Sequence, residues 1–226
     1  MLRIFIGYDP RESVAFHVLS HSLLRRSSVP LSVSPLVRSQ LKSIYTRPRG
    51  PTESTEFSMT RFLVPALSGY QGWSIFMDCD MLCRADIAGL AAEIERQPDK
   101  AVLVCKHDYT PRTERKFLGH VQTKYTRKNW SSLMLFNNAR CRSLTSDYVN
   151  TASGLELHRF AWIDDASIGE LSLDWNWLVG EYEYNPNARI VHFTIGGPYF
   201  AAYRDCDYAA EWFAERDSMQ HAEAYK

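Results

Sequence analysis

The chain has no run of residues suited to crossing a membrane as a helix. Its longest stretch without Asp, Glu, Lys or Arg covers 62–77 and contains Pro65, Gly69 and Gly72, whereas a spanning helix needs about 20 mostly apolar residues. No apolar secretory segment is read at the start, where Leu2-Arg3-Ile4-Phe5-Ile6 already has strand character. Formal net charge is zero, so no global field draws the molecule to nucleic acid. The five cysteines, Cys79, Cys83, Cys105, Cys141 and Cys206, are odd in number and form no C-x-x-C pair. That argues against a disulfide framework or a zinc site and fits a reduced cytosol. Internal repeats and low-complexity segments are also missing. What is there is 226 residues, 45% hydrophobic and 23% charged, the composition of an ordinary globular protein.

Strand and helix patterns alternate along the first half. Leu2-Arg3-Ile4-Phe5-Ile6-Gly7 reads as a strand. Asp9-Pro10-Arg11-Glu12 reads as a helix start, with Asp9 as cap, Pro10 at the first helical position and Glu12 where a capping box wants an acid. Ala15, Val18, Leu19, Ser22 and Leu23 fall on one helical face. The segment 29–37 is a second strand, placed at an edge by Pro30 and Pro35. A polar loop covers 40–54, and a helical pattern covers 57–67. A third strand occupies 73–77, a helix 87–96 and a fourth strand 101–105. Such alternation predicts a largely parallel sheet with helices on its faces.

The second half is less regular. Segment 106–128 holds seven Lys or Arg against Asp108 and Glu114, interleaved with Tyr109, Phe117 and Tyr125. A solvated surface explains it, and so does a wall for an anionic or sugar-bearing partner. A strand is expected over 132–137, a helix over 146–160 with a break at Gly154, and a short helix from Trp162-Ile163-Asp164-Asp165 through Leu171. Trp175-Asn176-Trp177 is expected to pack beneath a site. A last strand covers 189–193, a turn 194–198 and a closing helix 209–224.

The stretch Trp73-Ser74-Ile75-Phe76-Met77-Asp78-Cys79-Asp80 is the most informative. An apolar run of strand length ends in two carboxylates, at the strand end where open α/β sheets bind ligands. Side chains alternate along extended backbone, so Asp78 and Asp80 can face one way. Two hard oxygen ligands there suit Mg²⁺ or Mn²⁺, with substrate phosphates completing the shell. Two solvated turn acids are the plainer reading of a D-x-D taken alone.

Four stretches together resemble the GT-A-fold glycosyltransferases, most closely glycosyltransferase family 8. They are Phe5-Ile6-Gly7-Tyr8-Asp9, Thr60-Arg61-Phe62, Phe76-Met77-Asp78-Cys79-Asp80, and His192-Phe193-Thr194-Ile195-Gly196-Gly197-Pro198. Their order and approximate spacing agree with the family from Ile4 to about Tyr199. The resemblance implies a single GT-A domain over 1–226 with a mixed, mostly parallel central sheet. Residues 1–105 would bind the nucleotide sugar, 106–200 the acceptor, and 201–226 would form the closing helix.

It also implies a retaining transfer of a hexose from a UDP-sugar to a glycan or lipid-linked sugar, as in polysaccharide or lipopolysaccharide assembly. Metal ligands would be Asp78, Asp80 and His192, a mixed oxygen and nitrogen set that favours Mn²⁺ over Mg²⁺. Donor contacts would come from Gly7, Tyr8, Asp9, Arg61, Asp78, Cys79, Asp80, Ser131, Ser132, Gly196 and Gly197. By alignment Asp165 would lie beneath the anomeric carbon, with Asp164 as an acidic neighbour. Both also read as helix-start charges.

Two departures stand out. Trp130-Ser131-Ser132 replaces an Asn-Ala-Gly, and Gly197 stands where a phosphate-binding Lys is common, leaving Arg61 or a base of 106–128 to substitute. No nucleic acid partner is implied, the location expected is cytoplasmic, and peripheral contact with a membrane stays open. The alternatives are a non-catalytic nucleotide-sugar-binding protein of the same fold, a phosphohydrolase of the haloacid dehalogenase type, and a nucleotidyltransferase. Gly7-Tyr8-Asp9-Pro10 lacks the basic Gly-rich loop expected of the last.

Overall fold

The computed structural model describes residues 1–50, 53–113, 117–119 and 126–221. The first strand, β1 (Leu2–Gly7), is followed by a single 3-10 turn at Pro10–Glu12 and by α1 (Ser13–Arg26). Asp9 caps that turn by accepting from the Arg11 backbone N–H. Glu12 does not complete a capping box: it is buried, and its Oε1 accepts from the Tyr199 hydroxyl. The five positions expected on the inner face of α1 are the five that are buried.

Next come β2 (Leu31–Leu36), α2 (Val64–Leu67), β3 (Trp73–Met77), β4 (Met81–Cys83), α3 (Gly89–Arg96) and β5 (Val102–Cys105). The helix expected over 57–67 is a 3-10 turn at Thr60–Leu63 leading into one α turn. Pro65 has no N–H to bond the Arg61 carbonyl, so a continuous α-helix loses that rung. The second half contains β6 (Leu133–Asn137), α4 (Ser146–Thr151), α5 (Gly154–His158), β7 (Ile168–Leu171), β8 (Trp177–Leu178), β9 (Ile190–His192) and α6 (Ala209–Gln220). The break at Gly154 is real, because Ser153 and Glu156 form a capping box that starts a new helix there.

The central sheet has the order β2-β1-β3-β6-β5-β7. Only β6 runs against the other five, since it pairs antiparallel with both β3 and β5 while β1 pairs β2 and β3, and β5 pairs β7, in parallel. Strands β3, β5 and β6 are buried on both faces, as a sheet covered by helices requires. A second sheet, β4-β9-β8, was not foreseen: its strands are two or three residues long. Helix α1 wedges between the two sheets, with Leu19 and Leu23 in the larger core and Val18 in the smaller one.

The helix expected through Leu171 is instead a 3-10 turn at Asp165–Ser167 and then β7. A slot beside β5 decides this. Ile168 and Leu171 are buried, and a Cβ on Gly169 would lie 2.3 Å from Leu103, so only glycine lets the strand approach so closely.

Candidate metal centre

β1 has β2 on one side and β3 on the other, so the strand order reverses there and a crevice opens beyond the carboxyl ends of β1 and β3. Ile6 lies opposite Met77, which brings Gly7-Tyr8 and Asp78 side by side across one strand spacing. Alternation then separates the D-x-D side chains. Cys79 points into the core, fully buried, and burial raises its thiol well above the usual range, which keeps it protonated. It lies among the donor residues by position, not as a polar contact.

Asp78 and Asp80 meet His192. One ligand atom from each of the three lies within 4.8 Å of the others. His192 Nε2 is 3.3 Å from Asp80 Oδ1 and 4.0 Å from Asp78 Oδ2. This convergence comes from register. β4 pairs β9 with Met81 opposite His192, and the Phe193 N–H donates to the Asp80 carbonyl. Asp78 is held separately, its N–H donating to the Ser132 carbonyl. Two carboxylate oxygens and an imidazole nitrogen make a donor set that fits a divalent ion, with oxygens alone favouring Mg²⁺ and the nitrogen admitting Mn²⁺.

Arg61 is committed here. It is buried, its Nη1 lies 2.8 Å from Asp78 Oδ1 and 2.8 Å from the Ser131 carbonyl, and its Nε donates to the Ser58 carbonyl. It braces Asp78 and the 131–132 turn, so it is poorly placed to replace the cation missing at Gly197. Asp9 is similarly engaged. Burial pulls its carboxyl upward, but the Arg11 side chain and the backbone N–H groups of Arg11 and Glu56 outweigh this and hold it below the usual carboxylate range. Gly7 makes room for Phe57, whose ring a Cβ would approach to 2.3 Å. A Cβ on Gly196 would lie 2.5 Å from the Tyr203 ring, and one on Gly197 2.2 Å from the Tyr199 ring.

Asp164 and Asp165 are not brought to this cluster. Asp165 precedes β7, whose first residue lies opposite Val102, while its last residue lies opposite Cys105. The carboxyl end of β5 neighbours the amino end of β6, where Leu133 faces Met77. The two acids therefore lie at the amino end of β7 on the outer edge of the sheet, three strands from β3 in the order. Asp165 is exposed, and both its oxygens accept from Arg127 Nη2 at 2.7 Å. That hydrogen bond, with the guanidinium charge, lowers its carboxyl below the ordinary value.

Two residues escaped the sequence reading, and a third, Asn176, was placed beneath a site without a role. Asn176 is buried and bonds His192 Nδ1 at 3.1 Å. His158 Nδ1 bonds Ser131 Oγ at 2.7 Å. Asn129, one residue before Trp130, supplies an asparagine where that residue type seemed lost. Its Nδ2 donates to Tyr109 Oη and to Thr194 Oγ1. A polar residue beside an aromatic pair was the only signal for Asn176. Of the basic-aromatic segment, Lys106 and Arg127 lie over the Trp130 ring and Tyr109 packs on His107. Burial pushes His107 down to about 3. Glu114 and Tyr125 lie outside the described residues.

The fold is that of the GT-A glycosyltransferases. Solved structures with the same architecture include the bifunctional glycosyltransferase WbbM, at a TM-score of 0.67 and 12% identity over 95% of this chain and 49% of that one. The galactosyltransferase LgtC, solved with donor and acceptor sugar analogs, matches at 0.60 and 10% identity over 98% of this chain and 97% of its own. The glycosyltransferase GlyE of Streptococcus pneumoniae TIGR4 matches at 0.61 and 12% over 96% and 61%. The chain thus spans about half of WbbM. That architecture sets aside the dehalogenase-type alternative. Within the GT-A class the chain belongs to the family of Protein CDI of Arabidopsis thaliana, to which it is 46% identical over 225 residues, covering 95% of this chain and 86% of that protein. No family model matches the sequence.

Proposed function

We propose that the protein is a metal-dependent, retaining glycosyltransferase that moves a hexose from a UDP-sugar to a glycan or lipid-linked sugar acceptor. The convergence of Asp78, Asp80 and His192 at the switch point of a GT-A sheet carries this reading. The nucleoside end of the donor lies by Gly7, Tyr8 and Asp9, and the diphosphate lies between the D-x-D and the Gly196-Gly197 turn, where the Gly197 backbone can approach it while the Gly196 N–H closes the turn on the Phe193 carbonyl. A divalent ion, Mn²⁺ before Mg²⁺, would stabilise the charge that develops on the departing diphosphate. Ser131 and Ser132 border the sugar, and the acceptor lies against 106–128. The unpaired cysteines support a cytoplasmic location. Asp164 and Asp165 serve in this reading as anchors of Arg127 and of the turn into β7, not as groups that touch the sugar.

A second reading is a non-catalytic nucleotide-sugar-binding protein. The commitment of Arg61 to Asp78 and the place of Asp165 on the outer edge of the sheet favour it. Calorimetry with UDP and Mn²⁺, followed by a donor screen for UDP release, separates the two, with Asp80→Ala and His192→Ala as controls. Mn²⁺-dependent binding with turnover supports the transferase. Binding without turnover across donors and acceptors supports the second reading. Absence of both overturns each.

A further inference from the structure

The geometry points to Asn176 as a positioning residue of the metal centre: it fixes which nitrogen of His192 carries the proton, and so presents Nε2 to the cation as a lone pair. The inference rests on the metal reading of Asp78, Asp80 and His192.

The hydrogen-bond network settles the orientation of the Asn176 amide. One amide atom lies 2.8 Å from Ser132 Oγ and 3.5 Å from the Asn129 carbonyl. A carbonyl only accepts, and Ser132 Oγ spends its own proton on that same Asn129 carbonyl at 2.7 Å. The atom facing both must therefore be the amide nitrogen. The other atom is Oδ1, an acceptor, and it faces His192 Nδ1 at 3.1 Å. Nδ1 must then be the protonated nitrogen, and Nε2 is the atom turned toward Asp80 and Asp78. Asn176 and His192 are both buried, so water does not readily replace the bond.

The same short turn holds the other arm of the site. The Ser132 carbonyl accepts from the Asp78 N–H, and the Ser131 carbonyl accepts from Arg61, which clasps Asp78. Residues 129–132 thus brace a ligand from each sheet. Partners of this kind around a metal-bound histidine change metal affinity about 10- to 100-fold when removed.

The experiment has two readouts. Long-range ¹H–¹⁵N correlations of the histidine rings, recorded on metal-free protein at alkaline pH, report the tautomer, with His192 assigned by its loss in His192→Gln. Calorimetry reports Mn²⁺ affinity. Wild type is expected to show His192 protonated at Nδ1. Asn176→Leu is expected to lose that preference and to bind Mn²⁺ about 10- to 100-fold more weakly. Asn176→Asp keeps the acceptor facing Nδ1, and Ser132 Oγ can turn its proton to the second carboxylate oxygen, so this variant is expected to retain both. A leucine variant with the wild-type tautomer and affinity overturns the proposal, as does an aspartate variant impaired as much as the leucine one. If the leucine variant does not fold, Asn176→Ala replaces it, and an unaltered tautomer and affinity there overturn the proposal too. Should wild type bind no Mn²⁺, the metal reading falls, while the tautomer readout still judges the role of Asn176.

Discussion

Single residues at this site are held by charges that are already paired. Arg61 and Asp78 form a largely buried ion pair, and removing one partner of such a pair strands the other. Arg61→Met is expected to destabilise the fold by about 3 kcal/mol, read from urea unfolding, and to loosen the D-x-D even if the protein stays folded. Asp9 supplies a pH test. Its folded carboxyl lies below the ordinary value, so its contribution is fully present above the unfolded carboxylate range and is lost as pH falls through the lowered folded value. The difference in urea midpoint between wild type and Asp9→Asn is expected to be largest near neutrality and to shrink below about pH 4. A difference that grows on acidification would contradict this.

At the scale of elements, close approach decides what each strand end can carry. The carboxyl end of β1 presses on the Phe57 ring through Gly7. Gly7→Ala is expected to cost about 1–3 kcal/mol, the range for overpacking, and Phe57→Leu in the same chain is expected to return part of it. A thermal unfolding series of the two single variants and the double one measures the coupling. Helix α5 tests a local signal instead. Ser153 and Glu156 cap it reciprocally, so Ser153→Ala is expected to cost about 1 kcal/mol. The effect should stay local, because α5 follows a break already written into Gly154.

For the whole molecule the telling feature is that the candidate ligands span two sheets. Asp78 ends β3 of the large sheet, Asp80 leads into β4, and His192 ends β9 of the small one. A bound cation would therefore tie the two sheets together. Anything that binds only the folded state stabilises it, by about 2.7 kcal/mol when its concentration is 100 times its Kd. Mn²⁺ with UDP is expected to raise the melting temperature, with chelation reversing the shift and His192→Ala abolishing it. A melting temperature indifferent to Mn²⁺ and UDP would count against a site between the sheets.

By itself the sequence determined the elements whose signals are local: β1, the inner face of α1, β3 with its terminal acids, and the helix break at Gly154. An apolar run, a 3.6-residue period and a glycine after a cap each act within one turn or strand, so they are legible without the rest of the chain. Only the tertiary structure decided the rest. Ile168 to Leu171 became a strand because a slot beside β5 was waiting for it. That register in turn carried Asp165 away from the D-x-D. Asn176 and Asn129 joined the site because hydrogen bonds between distant segments have no sequence period. The meeting of Asp78, Asp80 and His192 depends on the pairing of β4 with β9, and pairing register is set by packing across the fold, which no local pattern encodes.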